Sequence, residues 1–125
     1  MLNIISVSIG GLIGVLIRYG IIQAMQQNHF TVRTIVANSL GCLLLGSIIA
    51  GIQHVELPDH IRLGIIVGCC GALTTFSTII YDIVTLLSQE QFTQAVYYFV
   101  LTNIAGIGMF GVGFIISAFL YKQFW

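Results

Sequence analysis

Gly71-Ala72-Leu73-Thr74-Thr75-Phe76-Ser77-Thr78 sets four hydroxyl side chains, a glycine and an aromatic ring inside an otherwise apolar segment. Its flanks read Ile65-Ile66-Val67-Gly68-Cys69-Cys70 on one side and Ile79-Ile80-Tyr81 on the other. An unbroken helix gains nothing at a bilayer centre from three threonines and a serine. Backbone that leaves helical geometry at that depth is tolerated only where it is buried in protein or lines a wet cavity. Such interruptions mark ion and substrate sites, because half-helix ends and freed carbonyls hold ions. The stretch therefore predicts an ion-handling membrane protein rather than an enzyme, with a third helix broken at mid-membrane.

Composition supports the membrane part of this reading. The chain has 125 residues, is 58% hydrophobic and 6% charged, and has a mean hydropathy of +1.03. Soluble domains carry roughly a quarter charged residues, so this chain cannot cover its own surface in water. Four apolar stretches, at about 4–26, 33–53, 61–87 and 94–121, each reach the roughly 20 residues a spanning helix needs. Short polar separators join them: Gln26-Gln27-Asn28-His29, the run His54 to His60, and Ser88-Gln89-Glu90-Gln91. One all-α integral membrane domain over 1–125, with four transmembrane helices, is expected. The N-terminus lacks a positively charged leader region and reads as the first span rather than a cleavable signal. Zero net charge gives no reason for a nucleic-acid partner. Membrane lipid is the expected surroundings.

Charge placement bears on orientation. Lys and Arg normally crowd the cytoplasmic side. Here Arg62 and Lys122 fall on the N-terminal side of the membrane; Arg33 falls on the other, and Arg18 leans towards it. This balance predicts insertion in both directions and makes an antiparallel dimer available. Glycines recur on every span: Gly10, Gly11 and Gly14; Gly41 and Gly46; Gly64, Gly68 and Gly71; Gly106, Gly108, Gly111 and Gly113. Small residues at such spacings let helices approach closely in lipid. So small a bundle leaves little room for a pore inside one subunit, which favours a pathway at a subunit interface.

The polar residues within the spans divide between structure and chemistry. Asn38 and Asn103 are either interhelical glue or ion-facing amides, since an amide donates to anions and accepts from cations. Arg18 costs about 2.5–3.5 kcal/mol if it sits centrally; it either snorkels to the interface or opens a funnel for anions. Asp82, one turn beyond the break, is the carboxylate well inside a span. Cys42, Cys69 and Cys70 read as small buried apolar residues, and His29, His54 and His60 as solvated loop residues without ligand spacing.

Three ordered motifs carry a family resemblance. Gly10-Gly11-Leu12-Ile13-Gly14-Val15-Leu16-Ile17-Arg18-Tyr19 resembles the helix-one GGxxGAxxRY pattern of the Fluc (CrcB) fluoride channels. Thr34-Ile35-Val36-Ala37-Asn38-Ser39-Leu40-Gly41 resembles their helix-two motif GTxxVNxxG. Residues 71–78 resemble their most specific signature, GGxTTFSTF. The resemblance implies a fluoride-selective channel that exports fluoride through a prokaryotic plasma membrane. It implies an antiparallel, dual-topology dimer with two fluoride paths, and a structural sodium ion at the dimer centre held by the main-chain carbonyls of Gly71 and Thr74. It also makes Asn38, Phe76, Ser77 and Thr78 pathway residues, with Asp82 beside them where the family often has Glu, and the funnel reading makes Arg18 an anion vestibule. The family's second Phe is Ile79 here, which admits a paralogous partner supplying the missing ring beside the homodimer reading. The helix-four polar position is Thr102 or Asn103, and the second Gly of the third motif is Ala72. Two alternatives lie in other classes. A small dual-topology multidrug exporter needs a helix-one Glu, and helix one here has no acid. A non-transporting membrane subunit gives no reason for hydroxyls at mid-membrane.

Overall fold

The computed structural model describes residues 1–124. Helix α1 spans Leu2–Ala24 and α2 spans Phe30–Ile52. The third span begins as α3, residues 59–73, which opens with a regular turn at Asp59–Leu63. It widens into π-helical geometry over Gly64–Cys70 and closes with a regular turn at Gly71–Leu73. Thr74 (φ −87°, ψ 153°) and Thr75 (φ −152°, ψ 118°) are both extended, and the span resumes as α4, Phe76–Ser88. The fourth span, α5, runs Phe92–Phe124. The four spans are long and apolar enough to cross a membrane. The break falls where the hydroxyl run predicts it; every span starts two to three residues before its apolar limit, the first two end one to two residues short of theirs, and the last two run one to three residues past. Helices continue into polar ends such as Asp59 and Ser88 because intrahelical hydrogen bonding does not stop where lipid does.

The spans pack as two close pairs. Helix α1 lies against α3 with backbone touching backbone: a methyl group at Gly10 would strike the Gly64 carbonyl, and one at Gly14 the Cys69 carbonyl. Helix α2 lies equally close to α5, with Gly46 against the Phe110 carbonyl and Gly113 against that of Leu43. Ser47 Oγ adds a 3.2 Å hydrogen bond to the Gly113 carbonyl. In lipid this packing, rather than expulsion of water, holds helices together. The hairpin between α4 and α5 is closed by backbone bonds from Gln91 N to Leu86 O (2.9 Å) and Glu90 N to Leu87 O (3.1 Å), with Glu90 in the left-handed region at φ 60°. Ile79, Leu86, Ala95 and Tyr98 form the core under this hairpin, backed by Phe30, Ile35 and Ile83.

A consequence separates glycines that pack from glycines that do not. Gly14→Val should lower the melting temperature of the purified protein markedly, because overpacking a tight contact costs about 1–3 kcal/mol. Gly11→Ala on the same helix meets open space and should melt as the native chain does. Equal melting of both variants would refute the α1–α3 contact.

Candidate functional site

Asn38 and Gly41 lie three residues apart on α2 and so share a face, and that face receives the break. The Asn38 amide holds both backbone polar groups of one residue, Thr75. Thr75 N–H donates to Asn38 Oδ1 at 2.7 Å, and Asn38 Nδ2 donates to the Thr75 carbonyl at 3.3 Å. Gly41 makes room beside it for the Thr74 methyl group. The amide therefore serves as glue, and what it glues is the interruption itself.

These bonds redirect the helix's own donors. In a continuous helix Thr75 N–H would serve the Gly71 carbonyl and Thr78 N–H that of Thr74. Here Asn38 takes the first, and the Thr75 hydroxyl takes the second at 3.4 Å, capping α4. Gly71 and Thr74 thus keep carbonyl oxygens whose usual partners are engaged elsewhere. Gly71 is exposed and Thr74 half-buried. The Thr75 hydroxyl also lies 3.0 Å from Ser77 Oγ and 3.2 Å from Thr78 Oγ1, so the three hydroxyls form one cluster at the start of α4.

Beside the break opens a cavity of about 480 Å³ between α2, α4 and α5. Asn38, Thr74, Thr75, Phe76, Ile79, Thr102 and Asn103 line it, together with Cys42 and Gly106. The fold thus gathers most of the residues singled out in the sequence. Phe76 stands 65% exposed at its rim, whereas Ile79 is buried. On α5, Asn103 is exposed and its Nδ2 donates to the Phe99 carbonyl of its own helix, while Thr102 is buried. Arg18, half-buried on α1, does not line this cavity.

Asp82 does not line it either. Its Oδ2 accepts from Thr34 Oγ1 at 2.7 Å and from the Tyr98 hydroxyl at 2.8 Å, and the residue is 3% exposed. This buried three-helix cluster sits about one turn along from Ile79 and Thr102. Its partners Thr34 and Tyr98 were not singled out by the sequence as site residues. Their signal is positional: Thr34 precedes Asn38 by one helical turn, and Tyr98 precedes Thr102 by the same step. Cys42 follows Asn38 by one turn and is half-buried rather than buried, as is Cys69; Cys70 alone is fully buried, at 2% exposure.

The fold and cavity define a multi-pass α-helical membrane protein built around an interrupted span. The family described as "CrcB-like protein, Camphor Resistance (CrcB)" matches residues 5–114. A fluoride-specific ion channel FluC of Pseudomonas fluorescens is 39% identical over 109 residues, covering 83% of this chain and 87% of the relative. One from Desulfotalea psychrophila is 33% identical over 119 residues, covering 94% and 93%. Fluoride-specific ion channel FluC 1 of Staphylococcus epidermidis is 38% identical over 100 residues, covering 79% and 83%. The chain belongs to the CrcB family.

Proposed function

We propose that this chain is a fluoride-selective ion channel of a bacterial plasma membrane, letting fluoride leave the cytoplasm down its electrochemical gradient. Family membership supports that activity, and relatives carrying that name align over most of the chain. The observation that carries the mechanism is the break beside a part-polar cavity. Fluoride gives up its water only to close hydrogen-bond donors. Asn38 and Thr102 line that cavity, and Ser77 and Thr78 cluster with the hydroxyl of Thr75, which lines it too. Phe76 offers its ring edge, which is electropositive and attracts a bare anion without the hold of a full cation. Ile79 keeps one wall aliphatic. Thr102 is the helix-four member, since it lines the cavity as a buried residue whereas Asn103 is exposed. Asp82 acts from behind the wall by holding Thr34 and Tyr98, and Arg18 raises the anion concentration at one mouth.

The working unit in this reading is an antiparallel, dual-topology homodimer. The exposed Phe76 ring and the open side of the cavity need a cover, and the balanced charges allow a second copy inserted the other way round. Gly71 and Thr74 fit a hard monovalent cation, because their carbonyls have lost their helical donors. Sodium held there by both copies supplies a positive charge that ties the dimer core together. No acid on α1 favours the drug-exporter alternative.

Purified chain in liposomes should release fluoride rapidly and chloride slowly or not at all. Comparable leak of both halides would sink the selectivity. A reporter fused to the C-terminus should be found on both sides of the membrane; one-sided display would favour a paralogous heterodimer.

A further inference from the structure

We propose that the π-helical turn at Gly64–Cys70 is the element that positions the break: it takes up one residue more than a regular helix and thereby turns Gly71 off the α1 contact onto an exposed face. That Gly71 then serves an ion rests on the sodium reading; its rotation does not. Gly64, Gly68 and Gly71 are four and three residues apart, and in a regular helix such positions share one face. All three would then lie against α1. The first two do: a methyl group at Gly64 would come to 2.9 Å from the Ser6 carbonyl, and one at Gly68 to 2.7 Å from the Val7 carbonyl. Gly71 does not. It is exposed, and a methyl group there would find no atom of α1 within 4 Å.

The backbone bonds locate the change of phase. Gly71 N–H reaches the Ile66 carbonyl, five residues back, as well as that of Gly68, whereas Thr74 N–H donates to the Cys70 carbonyl, four residues back. A step of five closes a turn with one residue more than the regular step of four. The α1 glycines follow the same count. A methyl group at Gly10 would strike the Gly64 carbonyl and approach Cys69 N; one at Gly14 would strike the Cys69 carbonyl and approach Leu73 N. The line facing α1 therefore runs through Gly64, Cys69 and Leu73, a step of five and then a step of four. Each residue of a regular helix turns by about 100°, so the surplus residue carries Gly71 roughly that far from the line it would otherwise continue. Cys70 and Leu73 are buried in its stead. Without the wide turn, the first residue of the break would be pressed against α1, closed to any ligand or second copy.

Deleting Val67 and inserting an alanine after it should have opposite outcomes. Val67 is 55% exposed, so neither change removes a buried contact. Deletion takes away the surplus residue: the turn relaxes to a regular helix, and Cys69, Gly71 and Leu73 keep their facing. That variant should melt with the native chain, retain the gain in melting temperature from sodium and keep native fluoride efflux. Insertion rotates the break by about a further 100°, so this variant should melt markedly lower and lose both sodium dependence and efflux. A regular helix at this place would make the two changes equally damaging. Equal melting of the two variants, or a deletion worse than the insertion, overturns the proposal. A native chain that melts alike with and without sodium, or that moves no fluoride, counts against the ion or the channel reading, and the melting comparison still decides the role of the turn.

Discussion

Asn38→Ala is expected to abolish fluoride efflux while the four spans still insert. The alanine leaves the Thr75 N–H and the Thr75 carbonyl, each held by Asn38, unpaired inside the membrane. Each buried unsatisfied group costs about 1–3 kcal/mol, so the extended geometry at Thr74 and Thr75 loses its main restraint. The third span can then recover by continuing as a helix, with Thr75 N–H returning to the Gly71 carbonyl. That removes the cavity's amide donor and the freed carbonyls in one step. Asn38→Asp separates these roles. A carboxylate still accepts from Thr75 N–H but cannot donate to the Thr75 carbonyl, and it places negative charge beside the anion's route. It should therefore fail in transport too, although the break survives. Hydrogen exchange at Thr75 distinguishes the two variants: protection should change in the alanine variant and persist in the aspartate one. Undiminished efflux through Asn38→Ala would remove the amide from the mechanism.

The same residue shows what a sequence can and cannot convey. Hydroxyls at mid-membrane announce that the third span breaks, because composition and depth are both readable along one chain. That Asn38 holds Thr75 is not readable in this way, since the partners lie 37 positions apart and only the meeting of α2 with the break joins them. The Thr34–Asp82–Tyr98 cluster is hidden for the same reason, as its bonds span 48 and 16 positions. The widened turn at Gly64–Cys70 leaves no mark either, because an apolar run with two glycines reads as ordinary helix. Thr102 and Asn103 are neighbours of similar polarity, and only the fold separates them, burying Thr102 and leaving Asn103 exposed. Cys42 looks apolar by type, and only the meeting of α2 with α5 places it on the cavity wall.

Gly71→Leu is expected to leave the subunit folded and to destroy the dimer. Within one chain the position is permissive. Its backbone is helical (φ −63°, ψ −36°), and a methyl group there would find only the Ile66 carbonyl, at an ordinary 3.7 Å. Glycine in a helix is about 1 kcal/mol less favourable than the best helix formers, so leucine should make the local turn more stable. Any damage must come from outside the subunit. In the proposed dimer the Gly71 and Thr74 carbonyls of two copies converge on sodium, and leucine side chains would hold those oxygens apart. Light scattering should then report monomers, and efflux should vanish. The native dimer should melt higher in sodium than in a large organic cation, because a ligand bound only by the assembled state stabilises it by mass action. Gly71→Leu should show no such difference. Thr74→Ser should retain sodium dependence, since the ligand is its main chain, with a small loss of stability from the missing methyl group beside Gly41. A dimeric, conducting Gly71→Leu chain would move the interface away from the break and leave the freed carbonyls without a shared ion.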